Sequence, residues 1–173
     1  MLVIINVGRR KSGKTFLTRN LLQGLRAKGY SDFACYDPNN EYLDYNSLRE
    51  LPKMKDFNEA AAEKYTDTVI VYEEATIFFR HAADEDVLNL CVRSRHRKGS
   101  KGLGNLLIFN FHSLRSVPLY ILDHVDYMNI KKTNDNPKNI EVKFKDYPII
   151  FDKYLAAKIS KDLHVTETVD FYA

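Results

Sequence analysis

Short apolar runs recur along the chain as far as residue 131, separated by longer mixed stretches. They are Leu2–Val7, Asp32–Asp37, Thr68–Glu73, Asn105–Phe111 and Val125–Lys131. Each has the length of a strand, and β-branched and aromatic side chains dominate them, as in strands buried on both faces. After the first run, Leu17, Leu21 and Leu25 repeat at every fourth position. That spacing predicts a helix with one apolar stripe, and Gly29 suits its C-terminal cap. Phe57–Tyr65, rich in Ala and Glu, predicts a helix leading into the third strand. Asp84–Arg97 predicts another before the fourth, capped by Asp84, with Val87, Leu88 and either Cys91 or Val92 inward. Ser116–Leu122 reads as one or two helical turns.

Strands alternating with helices predict an α/β fold with a mostly parallel sheet covered on both faces. Beyond Thr133 the alternation stops. Asn134–Pro137 reads as a turn, Ile140–Lys145 as an edge strand, Tyr154–Leu163 as a short helix, and the last residues as a tail. The expected organisation is one domain over residues 1–173, with a core at 1–132 and a small C-terminal extension at 133–173.

Composition narrows this little. The chain has 173 residues, 45% hydrophobic and 28% charged, an ordinary globular balance. No apolar run approaches the length of a membrane span, and no secretory signal is expected ahead of a strand at Leu2. Cys35 and Cys91 lack metal or redox spacing and are expected to be reduced and partly buried in a cytosolic setting. A net charge of +3 neither demands nor excludes nucleic acid. Its distribution says more: Arg93–Lys101 holds five Lys or Arg residues and one His with no acid, and Arg9, Arg10 and Lys11 form a second basic cluster.

Between the first strand and the first helix lies Gly8-Arg-Arg-Lys-Ser-Gly-Lys-Thr15, which fits G-x-x-x-x-G-K-[ST] at every fixed position. Strand, glycine loop and helix together aim backbone N–H groups and a helix N-terminus at phosphate. The competing reading, a glycine-rich turn that binds nothing, is disfavoured by those flanking elements. The expected ATP-binding residues are Gly8, Arg9, Arg10, Lys11, Ser12, Gly13, Lys14, Thr15 and Phe16. Lys14 is expected to reach the β- and γ-phosphates, and the Thr15 hydroxyl to ligate Mg²⁺.

The third strand ends in Glu73-Glu74. At the C-terminal end of a strand in an open α/β sheet, such acids face the ligand crevice. Glu73 is expected in the Mg²⁺ shell, and Glu74 is expected to orient or deprotonate the attacking water. Many P-loop hydrolases carry Asp at the first of these positions. Two solvated acids opening the next helix would be the plainer reading. On the fourth strand, Leu106, Ile108, Asn110 and His112 share one face, making His112 and Asn110 candidates to sense the γ-phosphate. In the basic run, Arg97 and Arg95 are candidate arginine fingers, guanidinium groups supplied to a phosphoryl group from a neighbouring subunit. A basic helix end is the alternative.

These residues together resemble the HerA/FtsK superfamily of ring-forming ATPases. Asp37-Pro-Asn-Asn-Glu41-Tyr42 is similar to the Asp-Pro-x-x-Glu-Tyr segment of HerA-like members, and Arg95-His96-Arg97 to that of viral genome-packaging ATPases. Zot-like phage assembly and extrusion proteins are next, although they usually carry a membrane span. The likeness covers residues 1–132. It implies a RecA/ASCE-like, three-layer P-loop NTPase sandwich with the fourth strand between the first and third. It also implies a hexameric or pentameric ring with ATP at subunit boundaries, sequence-independent contact with double-stranded DNA, and work at a viral capsid or portal vertex from the host cytoplasm. Basic residues from Lys98 to Lys101 could contribute DNA contacts. His112 stands where the family usually has Gln. A small nucleotide or metabolite kinase and a nucleotide-switched assembly factor are the competing classes.

Overall fold

The computed structural model describes residues 2–42, 48–50, 63–81, 89–93 and 96–172. Its centre is a seven-stranded sheet of β1 (Val3–Val7), β2 (Asp32–Tyr36), β3 (Leu48–Glu50), β4 (Thr68–Tyr72), β5 (Leu106–Phe111), β6 (Tyr127–Ile130) and β7 (Glu167–Asp170), in the order β3-β2-β4-β5-β1-β6-β7. All neighbours are parallel except β6 and β7. The five predicted strands are β1, β2, β4, β5 and β6. The fourth of them, β5, lies between β1 and β4, as the resemblance implies.

Alternation along the strands divides the core. Ile4, Phe33, Val69, Val71, Leu106 and Ile108 face one side, where α1 (Lys14–Ala27) covers them with Leu22 and Leu25. Val3, Ile5, Ile70, Tyr72, Leu107, Phe109 and Phe111 face the other. There α2 (Ala75–His81), a helical segment at 89–93, α3 (Pro137–Lys143) and α4 (Pro148–Ile159) close the third layer. The Tyr72 ring packs on Phe109 and Phe78 with centroids 5.1 and 4.7 Å apart, which locks α2 onto β4 and β5. Among the described residues no helix is long and apolar enough to cross a membrane.

The stripe of α1 is turned from the one expected. Lys14, Thr18, Leu22 and Leu25 are buried, while Leu17 and Leu21 are half-buried. Thr18 is drawn inward by the amides of Asn6 and Asn110. Within 89–93, Cys91 is the inward residue and Val92 is exposed. The rest of that predicted helix at 84–88, with its cap Asp84, and most of Phe57–Tyr65 lie outside the described residues. Ser116–Leu122 is helical in part, as 3-10 turns at Leu114–Ser116 and Leu119–His124.

The C-terminal part corrects three expectations. Ile140–Lys145 is not an edge strand, because α3 runs through Pro137–Lys143. Asn136 caps it by accepting the Lys138 N–H, and Pro137 sits in its first turn. A strand would place Ile140, Val142 and Phe144 on one face, but a helix separates them. Ile140 and Phe144 are buried, whereas Val142 is 73% exposed. The next helix starts at Pro148 instead of Tyr154, again with proline in the first turn. The tail is β7, whose Val169 is buried while its neighbours Thr168 and Asp170 are exposed.

Candidate active site

β1 ends at Val7 and the chain turns at once into the glycine loop that enters α1. The turn is too close for a side chain. A Cβ on Gly8 would lie 2.4 Å from Ser12 Oγ and 2.9 Å from Lys131 Cβ. Gly13, the N-cap of α1, has φ +85°, in the left-handed region. The Gly8 N–H donates to the Phe111 carbonyl at 3.0 Å and the Arg9 N–H to the Lys132 carbonyl at 2.8 Å. The loop is thereby tied to the ends of both neighbouring strands.

Inside the loop the Lys14 ammonium is buried. It donates to the carbonyls of Gly8 (2.6 Å) and Arg9 (3.3 Å), and lies 3.1 Å from His112 Nδ1. An ammonium can only donate, so Nδ1 accepts and the ring hydrogen belongs on Nε2. Nε2 donates to Glu74 Oε1 at 3.0 Å, and Asn39 Nδ2 donates to the same oxygen at 3.1 Å. Burial draws the Lys14 pKa down, against the opposing pull of Glu73, Glu74 and Glu41. The His112 bond outweighs partial burial and, with help from Asn39, holds the Glu74 carboxyl below its usual value. Glu74 is therefore ionised at neutral pH and better suited to orienting water than to removing a proton early. Its backbone carbonyl also starts α2, accepting the Ile77 N–H at 2.9 Å, so Glu74 opens the next helix and faces the site as well.

Glu73 lies deeper. Its Oε2 accepts from Tyr42 Oη at 2.6 Å and Asn110 Nδ2 at 2.5 Å. Its Oε1 is 3.4 Å from Thr15 Oγ1, whose hydroxyl also bonds the Glu41 carboxylate. Burial pushes the Glu73 pKa up, partly offset by the Tyr42 and Asn110 bonds. Glu73→Gln would keep both donors on its amide oxygen and turn the NH₂ toward Thr15 and Glu41. Only the charged form suffers from burial, so this variant is expected to melt higher at neutral pH, by roughly 2–4 °C per kcal/mol relieved. Because the folded pKa is raised, the wild-type penalty is present above that pKa. It fades as acid protonates Glu73, so melts between about pH 4 and pH 8 should converge at the acid end.

Sequence reasoning missed the support behind Glu73. Asn110 Oδ1 accepts from Asn6 Nδ2 at 2.8 Å, Asn6 Oδ1 from Asn129 Nδ2 at 2.8 Å, and Asn129 Oδ1 from Thr168 Oγ1 at 2.9 Å. A row of satisfied buried amides thus crosses β6, β1 and β5 to reach the carboxylate, its far end bonded by the exposed Thr168 hydroxyl of β7. The signal was available: Asn6, Asn110 and Asn129 are each the last residue but one of an otherwise apolar strand. Asn110 is buried beneath Glu73 and holds it, whereas His112 faces the cavity. The loop after His112 is stapled by the C-terminal extension. Asp135 accepts the Leu114 N–H at 2.9 Å and the Ser113 hydroxyl, and Lys143 Nζ donates to the Arg115 carbonyl at 2.7 Å.

Arg10, Lys11, Gly13, Lys14, Thr15, Glu73, Glu74 and His112 line a single cavity of about 500 Å³, which Asn39 and Glu41 complete. Its donors suit a triphosphate with Mg²⁺. The Gly8 cradle admits close approach, Lys14 supplies charge, and the Thr15, Glu73 and Glu41 oxygens are the hard ligands that Mg²⁺ prefers. Arg9 lines adjacent cavities with Asn134, Ser12 is buried in the loop, and Phe16 is 69% exposed.

The basic run sits elsewhere. The Lys101 and Gly104 N–H groups donate to Asp67, which precedes β4, and Lys101 Nζ donates to the Gly29 carbonyl and Ser31 Oγ. These contacts are at the N-terminal ends of the strands, opposite the glycine loop. Gly99 lies beside Thr66 and Asp67, at the end of the strands opposite Lys14, and Arg97 is two residues before it. Arg95 lies outside the described residues.

No protein-family model matches the sequence, and no curated protein matches it. Solved structures do match. The genome packaging NTPase B204 from Sulfolobus turreted icosahedral virus 2, in complex with ATP-gammaS, has a TM-score of 0.75 at 16% identity, over 97% of this chain and 91% of that one. B204 described as the DNA-packaging ATPase from Sulfolobus turreted icosahedral virus has a TM-score of 0.73 at 17% identity, over 98% and 92%. The pCW3 conjugation coupling protein TcpA with ATPgS has a TM-score of 0.55 at 15% identity, over 82% of this chain and 51% of that one. Such low identities speak to the fold. The chain has the α/β sandwich fold of the viral genome packaging NTPase B204 and, over most of its length, that of the coupling protein TcpA.

Proposed function

We propose that this chain is an ATP-hydrolysing motor that moves double-stranded DNA, and that its task is to package a viral genome into a capsid. The observation that carries the hydrolytic part is the line from Lys14 through His112 to Glu74 across the mouth of the glycine loop. The DNA and capsid parts draw support from the motif resemblance and from likeness in fold to B204.

In this reading Lys14 binds the β- and γ-phosphates, and the N–H groups of Gly8–Thr15 cradle them. Thr15 and Glu73 would hold Mg²⁺, with Glu41 beside them. When bound there, the ion would supply positive charge against the developing phosphate charge. The amide row keeps Glu73 at its station. Glu74 orients the attacking water, and His112, bonded to both Lys14 and Glu74, senses the γ-phosphate. Two acids directly after β4 suit water activation better than transfer to a bound acceptor. The test is product analysis with and without double-stranded DNA. Mg²⁺-dependent release of free phosphate, faster with DNA, is expected. A phosphorylated small molecule would instead point to a kinase.

The ring is part of the same proposal. Arg97 is two residues before Gly99, which lies beside Asp67 at the end of the strands opposite Lys14, so a finger role for it needs a neighbouring subunit. Lys14→Ala protein mixed with Arg97→Ala protein is expected to recover activity, because some boundaries regain an intact loop and finger. Activity that only falls with dilution of each variant would contradict a finger in trans. Lys98 is exposed, while the Lys101 amine is tied to Gly29 and Ser31, so Lys98 is the better candidate for a DNA phosphate contact. The expected setting is the host cytoplasm, at a packaging vertex.

A further inference from the structure

The final part of the chain forms a strap beside the glycine loop. Lys131 is 4% exposed, and its Nζ donates to the His164 carbonyl at 2.9 Å. Lys132 Nζ donates to the Ser160 carbonyl at 2.5 Å. Within the strap, the Asp162 N–H donates to Ser160 Oγ at 3.1 Å and the His164 N–H to Asp162 Oδ1 at 2.8 Å. Two lysines at the end of β6 therefore pin residues 160–164 in a defined turn. The His164 ring lies against the loop, with Nδ1 3.3 Å from where a Gly13 Cβ would be.

This is the side of the loop away from the hydrolytic groups. His112, Glu74 and Glu73 follow β5 and β4, on one flank of β1, whereas the strap is held by β6 on the other. A nucleoside triphosphate is a linear chain of phosphates ending in a base. With its γ-phosphate at Lys14 and His112, a nucleoside directed away from the acids Glu41, Glu73 and Glu74 passes Gly13 and meets the His164 ring. Exposed apolar groups wait there. Leu163 is 59% exposed and is the apolar member of a cavity of about 400 Å³ otherwise lined by Arg9, Arg10, Lys11, Ser12 and Asn134. Phe16, one helical turn after Gly13, is 69% exposed. An aromatic ring in the first turn of the phosphate helix packs no core here, but it can stack a base.

We propose that the strap at 160–164, through Leu163 and His164, forms with Phe16 a stacking platform for the purine base of the bound nucleotide. The proposal rests on the nucleotide-binding reading of the loop. Stacking uses the flat face of the base and is sensitive to loss of an aromatic or apolar surface. His164 and Leu163 act on the nucleoside, while the phosphates remain with Lys14.

The experiment measures displacement of a ribose-labelled fluorescent ATP by ATP and by inorganic tripolyphosphate. In the wild type, ATP should displace at lower concentration than tripolyphosphate. A combined Leu163→Ala and His164→Ala variant, and Phe16→Ala, should each weaken ATP about tenfold and leave tripolyphosphate unchanged. His164→Phe should retain ATP affinity. All three side chains are exposed, so folding is not at risk, and a thermal melt checks it. Equal loss of both ligands would mean that the strap only props the loop, and would overturn the platform. Wild-type protein that binds tripolyphosphate as tightly as ATP would also overturn it, with the loop reading intact. Unchanged binding of both ligands by Lys14→Ala would overturn the loop reading itself.

Discussion

Lys14→Ala is expected to bind ATP roughly thirty-fold to a few thousand-fold more weakly than the wild type. The ammonium is the main buried positive charge within the loop and is held by the Gly8 and Arg9 carbonyls where the phosphates would lie. Removing one member of a buried, charge-assisted contact leaves the other member unpaired, which is why the cost is large. The loss is expected without unfolding. Burial lowers the Lys14 pKa, so the charged amine is itself a strained resident of the apo fold at neutral pH, and its removal relieves that penalty. The sign follows from the direction of the shift. A lowered amine pKa costs stability below the folded value, and the cost vanishes above the unfolded value. Calorimetric titration with ATP, beside a melt of each protein, separates the two effects.

Glu74→Gln should do something different. ATP should still bind, while turnover falls by about 10²- to 10⁴-fold. Glu74 is hydrogen-bonded to His112 and, among the described residues, no backbone group of the loop bonds to its carboxylate. Its amide replacement can still accept from His112 Nε2 and Asn39 Nδ2 through one oxygen, so the local packing is preserved. What disappears is the negative charge proposed above to orient water for in-line attack. A KM close to wild type with a collapsed kcat is the expected signature. His112→Ala, by contrast, removes the bridge between Lys14 and Glu74 and should disturb both binding and turnover.

Much of this site was legible because its parts are local. The glycine loop is contiguous, its flanking strand and helix are adjacent in the chain, and Glu73-Glu74 end an unmistakable apolar run. Even the position of β5 between β1 and β4 followed, through the resemblance, from those motifs. The amide row was hidden for the opposite reason. Asn6, Asn110 and Asn129 are distant in sequence and become neighbours only through the register of β1 with β5 and β6. Tyr42 and Asn39 likewise reach the acids from a different strand end. At the C-terminus, Ile140, Val142 and Phe144 fit a two-residue period by coincidence, and the proline-led helix start at Asn136-Pro137 was the stronger local signal. The strap escaped notice because its importance lies in what it packs against.

If Lys14, His112 and Glu74 act as one hydrolytic line over the phosphate loop, single-turnover chemistry with γ-labelled ATP reveals it, in wild-type and Glu74→Gln protein at equal ATP occupancy with Mg²⁺ and double-stranded DNA. The predicted result is label released as inorganic phosphate by the wild type and retained as intact ATP on Glu74→Gln. Equal release by both proteins, or label recovered on an organic acceptor, would contradict it.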